Sequence, residues 1–374
     1  MRIFVAYRGI DNIAGGVERI SISLMNDMVR RGHDITFFTL DKADATSFYP
    51  MDEKIAWHKA DIGDYRLKAS LTERFKRILV IRKLLKSTKP DVILAFQDGA
   101  FLQLRVASLG MRIPVVLAER IAPSHFQHRQ KNRNQSIAFF LYRFADKITV
   151  QSQSYVPYYP KKLQTKITVI PNPVELPSVQ ARPAGVPGQT KTLLCVGRIT
   201  HQKNQAVLVK AFANLQGQFP DWRLVLAGAE DDPSVRALAA RAGLQDKVVF
   251  MGAVKDVAAL YAESHLFCLP SRWEGFPNAL AEALSYGLPG VGFAGCDGVN
   301  VLIHHLENGL LATGNDNLQT LQAMLAAAME DDNARAAMGT KAIQSVRSYQ
   351  PRAIFDQWEK FLKAARDHET PLRD

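Results

Sequence analysis

Short apolar runs of β type alternate with helical patterns twice along this chain, and that repetition limits the possible folds more than any other feature. In the first half the runs are Arg2–Tyr7, Ile35–Leu40, Asp91–Phe96, Pro114–Ala118 and Lys147–Gln151. They are apolar through their centres, as strands buried on both faces of a parallel sheet are. Val17, Ile20, Leu24 and Met28 recur at spacings of three and four, and Gly32 closes that helix. Residues 171–189 then interrupt the pattern with five prolines and two glycines, a stretch suited to neither helix nor central strand. The alternation resumes at Thr192–Gly197, Arg223–Ala227, Val248–Met251, Leu266–Leu269 and Leu288–Phe293. Helical stretches lie between these runs, among them Gln205–Leu215, Pro233–Ala242 and Ala279–Tyr286, and Ala- and Met-rich helices follow from about Leu318. This is the grammar of doubly wound α/β folds. The expected architecture is α/β, two Rossmann-like domains facing each other across a cleft. Their expected bounds are 1–175 and 191–348, with a Pro-rich linker at 176–190. A C-terminal helix in 349–374, with Trp358, Phe361 and Leu362 on its apolar face, is expected to pack back on the N-terminal domain.

A length of 374 residues suits two domains, and 47% hydrophobic with 22% charged residues suits a soluble globular chain. The first run is too short for a signal-peptide core and reads as a strand, so a cytoplasmic protein is expected. Three scattered cysteines, Cys195, Cys268 and Cys296, give neither a disulfide framework nor a zinc spacing. The net charge of +11 is uneven. Residues 1–180 hold 28 Lys+Arg against 16 Asp+Glu, whereas residues 181–374 hold 19 against 20. An anionic partner for the first half is implied. Residues 66–89 concentrate the excess, with nine Lys+Arg and one acid, Glu73. Leu71, Phe75, Leu79 and Leu85 recur there at helical spacing. A helix with its apolar face on the sheet and its cations in water accounts for the pattern. A basic face resting on anionic lipid is the sharper reading, with each Lys or Arg adding ~1 kcal/mol. The run Ile137–Leu141 suits core or lipid equally. No nucleic-acid module signature is present.

Three motifs carry chemistry. In RWEGFPNALAEALSYGLPG (272–290), Glu274 and Glu282 are separated by seven residues, and a turn of Gly275, Phe276 and Pro277 leads into a helix near Asn278. Glu274 would sit at the lip of a strand-to-helix loop. The first N–H groups of the helix, around Asn278, Ala279 and Leu280, could point at an anion, and Glu282 could accept hydrogen bonds from a diol such as ribose. An ordinary amphipathic helix with one solvated Glu shows the same spacing. In GRITHQKN (197–204), Gly197 lets the chain turn at a strand end. Arg198 and Lys203 there suit a pyrophosphate, one as a fork and one as a point charge, or are solvated loop cations. In DNIAGGVERI (11–20), Gly15 and Gly16 lie between strand and helix, where backbone can approach a ligand. This loop is neither a GxGxxG motif nor a Walker A loop. The chain has no Asp-x-Asp triplet, so no metal-bridged diphosphate and no metal cofactor is expected.

Taken together, these motifs, Pro171-Asn172-Pro173-Val174, Asn308-Gly309-Leu310-Leu311 and the terminal helix resemble the retaining glycosyltransferases of family 4, which have the GT-B fold. The resemblance implies that the N-terminal domain binds acceptor and the C-terminal domain a nucleotide-sugar. Arg198 and Lys203 would hold the donor pyrophosphate, Glu282 the ribose and Glu274 the transferred sugar. Backbone N–H groups from Phe276 through Pro277 to Leu280 would hold sugar and distal phosphate. Gly16 would close on the pyrophosphate, with Gly15 beside it, and Gly252 to Val254 would border the base. The implied reaction moves a hexose or N-acetylhexosamine, from a UDP-sugar by preference, to a glycan or lipid-linked acceptor in surface polysaccharide or glycolipid synthesis. A basic N-terminal domain would then contact the inner face of the cytoplasmic membrane. Many relatives carry a His near the sugar where this chain has Glu119-Arg120; either Arg120 takes that contact, or His125 or His128 folds back, or both histidines are surface residues. A nucleotide-sugar epimerase and a non-catalytic sugar-nucleotide-binding relative are the rival readings.

Overall fold

The computed structural model describes residues 1–67, 69–96, 98–123 and 133–367. The chain forms two compact units, Met1–Pro173 with Arg352–Asp374, and Val174–Pro351.

The N-terminal unit holds a parallel sheet of β1 (Arg2–Ala6), β2 (Asp34–Thr39), β3 (Ala56–Lys59), β4 (Val92–Phe96), β5 (Val115–Ala118), β6 (Lys147–Val150) and β7 (Ile167–Val169). The strand order is β3-β2-β1-β4-β5-β6-β7. β4 and β5 are buried at every position, consistent with helices on both faces. β3 and β7 escaped the sequence reading because they are short edge strands, half exposed, with no continuous apolar run.

The helix Pro351–Arg366 belongs to this unit. Trp358 is fully buried, its ring 6.3 Å from that of Phe96. Glu359 accepts from Arg31 at 2.9 Å and lies 3.0 Å from His33 Nε2 and 2.6 Å from Lys363 Nζ. The Lys363 bond, with help from Arg31 and His33 and against the cost of burial, lowers the Glu359 carboxyl to about 2. A depressed carboxyl stabilises the fold above its unfolded value near 4.5 and stops doing so as pH falls through 2. Thermal melts of wild type and Glu359→Gln should therefore differ at pH 6 and converge toward pH 2; a constant difference would contradict the linkage.

The helix Leu71–Thr88 differs from expectation. Ser70 and Glu73 form a capping box that fixes its start. Its buried positions are Arg77, Ile81 and Leu85, and Arg77 donates to the Ile62 carbonyl from Nε at 3.1 Å and Nη2 at 2.7 Å. Leu71, Phe75 and Leu79 face outward at 83%, 62% and 50% exposure. Of the expected apolar face, only Leu85 meets the sheet. In the helix Arg133–Tyr142, Ala138 and Tyr142 are core, whereas Ile137 and Phe140 are exposed. Among the described residues, no helix is long and apolar enough to cross a membrane.

The central unit holds a parallel sheet of β8 (Lys191–Val196), β9 (Trp222–Ala227), β10 (Val248–Gly252), β11 (Leu266–Leu269), β12 (Gly290–Phe293) and β13 (Gly309–Ala312), in the order β10-β9-β8-β11-β12-β13. The Pro-rich segment is tied to this unit. Ala181 donates its N–H to Tyr286 O at 2.8 Å, and the buried Arg335 donates to Pro183 O at 2.9 Å.

Candidate active site

In an open parallel sheet, ligands bind beyond the carboxyl ends of the strands where the strand order reverses. In the central unit that point lies between β8 and β11. The loop after β8 carries Arg198 and Lys203; the loop after β11 carries Glu274 and leads into the helix Asn278–Ser285. Lys203 Nζ and Glu274 Oε1 meet at 2.6 Å across this point. Glu274 is 7% exposed at its side chain and Lys203 21%, so the pair is shielded from water. Residues 71 positions apart, from two separate motifs, thus share one contact.

The loops are held rigidly around this pair. Gln205 Nε2 donates to the carbonyls of Gly197 (3.3 Å) and Arg198 (3.0 Å). Gln202 Nε2 donates to Trp273 O, and Arg272 N donates to Gln202 O, both at 2.9 Å. Asp316 accepts from Arg272 at 2.7 Å and Asn204 at 2.8 Å. Burial raises the Asp316 carboxyl, but these two donors outweigh it and hold it below the ordinary range. Arg198 projects outward, 72% exposed, with Asp231 at 3.5 Å.

Glycine ends or directly follows three adjacent strands, β8, β9 and β10. Gly197 N donates to Ala227 O at 2.8 Å, and Gly228 N to Gly252 O at 2.7 Å. A Cβ on Gly228, whose φ is +155°, would lie 2.2 Å from the Gly197 carbonyl oxygen. Only glycine therefore lets the β8 and β9 ends approach this closely. Gly228 was missed in the sequence, although the run Cys-Val-Gly, Leu-Ala-Gly, Phe-Met-Gly at successive strand ends signals it. Gly252 lies on this rim and Val254 follows it, partly buried.

The helix Asn278–Ser285 starts behind Pro277, which supplies no side-chain cap, and its first internal bond is Ala281 N to Pro277 O at 3.0 Å. The N–H groups of Asn278, Ala279 and Leu280 precede that bond and lack intrahelical acceptors. Phe276 and Leu280 are buried, anchoring the turn, and the Phe276 ring stands edge-on to Tyr349 at 5.7 Å. Glu282 accepts from the Tyr261 hydroxyl at 3.0 Å, a positioning contact the spacing did not reveal. All three cysteines are buried. Burial lifts the Cys195 thiol to about 12, so it is protonated at neutral pH and no nucleophile. Among the described residues, no group of three His, Cys, Asp or Glu side chains is arranged to hold a metal ion.

In the N-terminal unit, Gly15 and Gly16 follow β1 at that sheet's own reversal, between β1 and β4. Gly15 is extended (φ −102°), a conformation open to any residue. A Cβ there would stand 1.9 Å from Glu18 Oε2, so any side chain at position 15 requires the Glu18 carboxylate to move aside. Glu18 is buried and accepts from the Tyr7 hydroxyl at 2.9 Å. Glu119 and Arg120 follow β5, one strand beyond the reversal. Arg120 is 4% exposed, donates to Thr149 Oγ1 at 2.7 Å and Ile170 O at 3.2 Å, and lies over the Trp358 ring at 4.9 Å. Burial lowers its guanidinium to about 9 against the pull of Glu119. Glu119 accepts from the Tyr142 hydroxyl at 2.5 Å and from Arg120 N at 3.0 Å. His125 and His128 lie outside the described residues.

Two family models match this chain: Glycosyltransferase Family 4 over residues 14–177, and Glycosyl transferases group 1 over residues 179–345. The chain belongs to glycosyltransferase family 4. The transferase is 28% identical over 353 residues to an uncharacterized glycosyltransferase of Haemophilus influenzae, covering 93% of this chain and 96% of the relative. It is 25% identical over 358 residues to an α-1,4-N-acetyl-D-galactosaminyltransferase of Campylobacter jejuni, covering 93% and 95%. The name of that enzyme specifies a glycan carried on undecaprenol diphosphate as acceptor. Among solved structures, Anabaena HepE in complex with UDP-glucose matches with TM-score 0.77 at 20% identity, covering 97% of this chain and all of that one. Sucrose-phosphate synthase from Thermosynechococcus elongatus matches with TM-score 0.82 at 17% identity, covering 97% and 98%. These likenesses establish the GT-B fold of the transferase.

Proposed function

We propose that the transferase is a retaining, metal-independent hexosyltransferase. It takes a hexose or N-acetylhexosamine from a UDP-sugar and passes it to a glycan or lipid-linked acceptor in bacterial surface polysaccharide or glycolipid synthesis. The observation that carries this reading is the Lys203–Glu274 contact, which sets a cation and a carboxylate at the sheet's reversal beside the start of the helix Asn278–Ser285. In this reading Arg198 and Lys203 face the diphosphate and Glu282, held by Tyr261, takes the ribose hydroxyls. Glu274 holds the sugar, and Gly252 to Val254 border the base. The bond between the sugar's anomeric carbon and the diphosphate oxygen breaks as the acceptor hydroxyl oxygen bonds to the same face. The hydroxyl proton passes to the departing diphosphate. Negative charge grows on the leaving group, and preorganised cations and N–H groups lower that barrier. The named donor of HepE and the named acceptor of the Campylobacter enzyme support the substrate classes.

The test is a thermal-shift screen over UDP-, GDP- and ADP-sugars, then transfer assays with and without EDTA and NMR assignment of the product anomer. A UDP-sugar should raise the melting temperature, EDTA should leave the rate unchanged, and the product should keep the donor's anomeric configuration. Donor conversion without acceptor would point instead to an epimerase.

A further inference from the structure

Asp316 lies outside the three sequence motifs, on the loop between β13 and the helix Leu318–Glu330. It nevertheless bonds to both loops that carry Lys203 and Glu274, with one carboxylate oxygen for each. Oδ1 accepts from Asn204 Nδ2 at 2.8 Å, and Oδ2 accepts from Arg272 Nη2 at 2.7 Å. Asn204 directly follows Lys203, and Arg272 precedes Glu274 by two residues. Asn204 is buried and left-handed (φ +57°, ψ +34°), a conformation that few non-glycine residues hold. Its backbone joins Lys203 to the start of the helix Gln205–Leu215, so a hydrogen bond that fixes its side chain also fixes that turn. Arg272 bridges the same two loops, donating from Nη1 to His201 O.

An exposed carboxylate is a weak anchor when its own loop is free to move. The Asp316 side chain is 45% exposed, but its loop is tied on both sides. Asn315 Nδ2 donates to Gly295 O at 3.0 Å. Asn317 Oδ1 accepts from Thr320 N at 3.2 Å, and Thr320 Oγ1 donates to Thr313 O at 2.8 Å. The acceptor is therefore fixed in place, and its hydrogen bond to the Arg272 guanidinium is charge-assisted. We propose that Asp316 is a positioning residue for sugar transfer, clasping the loops after β8 and β11 so that Lys203 Nζ and Glu274 Oε1 already stand 2.6 Å apart when the donor binds. It acts through Asn204 and Arg272, not on the substrate. The proposal rests on the reading of Lys203 and Glu274 as the donor site. Reacting geometry tolerates little displacement, and a shift of about 1 Å can cost about 10²-fold in rate.

The test measures transfer kinetics and thermal melts for Asp316→Gly, Lys203→Ala and the double variant. Glycine suits the left-handed backbone at position 316 (φ +68°), so the substitution removes the clasp without strain. Asp316→Gly should lower kcat/KM about 10–100-fold. Its melting temperature should fall by no more than about 4 °C, because so exposed a pair contributes little to stability. The double variant should match Lys203→Ala alone within about twofold, since a residue that acts through the pair has nothing left to position once the pair is gone. A merely structural Asp316 would instead add its full loss to that of Lys203→Ala, and that additive result would overturn the proposal. Wild-type kinetics in Asp316→Gly beside an impaired Lys203→Ala would also overturn it, with the donor site left standing. Wild-type kinetics in Lys203→Ala would refute the donor-site reading, and the proposal with it. If Asp316→Gly melts below the assay temperature, Asp316→Asn, which keeps the volume and one acceptor oxygen, takes its place in the same cycle.

Discussion

Lys203→Ala is expected to lower kcat/KM for sugar transfer by about 10²–10³, the loss typical of one preorganised contact to a developing negative charge. The folded protein should persist at a cost. Glu274 is buried at this pair, and removing its cation leaves a shielded carboxylate with weaker compensation. A stability loss of about 1–3 kcal/mol should accompany the activity loss. Glu274→Gln separates the two effects, since it retains a neutral hydrogen-bonding group of the same shape. If Lys203 acts on the donor diphosphate, Lys203→Ala raises KM for the nucleotide-sugar and also weakens UDP binding, whereas Glu274→Gln lowers kcat and leaves UDP binding near wild type. Equal loss of UDP affinity in both variants would mean that the pair only braces the loops, and wild-type kinetics in both would refute the site.

Arg120→Ala should reduce stability by about 3 kcal/mol or more and leave donor KM unchanged. The arginine is nearly sealed from solvent and engages Thr149, Ile170 and the face of Trp358. Truncation leaves a cavity over Trp358 and strips the Ile170 carbonyl and the Thr149 hydroxyl of a donor. Arg120→Met, which refills the volume over the indole, should recover part of the loss, since a buried cation exchanged for a well-packed apolar side chain is often tolerated. Chemical denaturation read by tryptophan fluorescence, beside donor kinetics, distinguishes the roles. A normal unfolding curve with a raised KM would instead place the guanidinium on substrate.

What was legible in the sequence followed burial. β4 and β5 read directly because both their faces are covered, and Gln205–Leu215 agrees with its apolar pattern to the residue. β3 and β7 lack that signal because an edge strand is half in water. Periodicity also misled at Leu71–Thr88. Leu71, Phe75 and Leu79 have helical spacing, but spacing gives no orientation, and Arg77 tucked under the Ile62 carbonyl turns the row outward. At the site, motif spacing located Lys203 and Glu274 separately; that they touch depends on β8 and β11 being neighbours, a pairing no local pattern encodes. Tyr261 was missed for the same reason, since it acts on a residue distant in sequence. Glu18 was legible only as an acid in the first turn of a helix, although its carboxylate lies against Gly15 and accepts from the Tyr7 hydroxyl.

The return of the helix Pro351–Arg366 to the N-terminal unit affects the order in which the protein is made. Residues 174–351 are one continuous stretch and can mature as soon as they leave the ribosome, since domains fold as units during synthesis. The N-terminal unit, although synthesised before it, lacks Trp358 over Phe96 and Arg120 until the helix Pro351–Arg366 emerges. Its partial core must wait through the whole synthesis of its neighbour. A released chain truncated after position 351 should therefore carry a protease-resistant central unit behind an N-terminal half that is still open to cleavage.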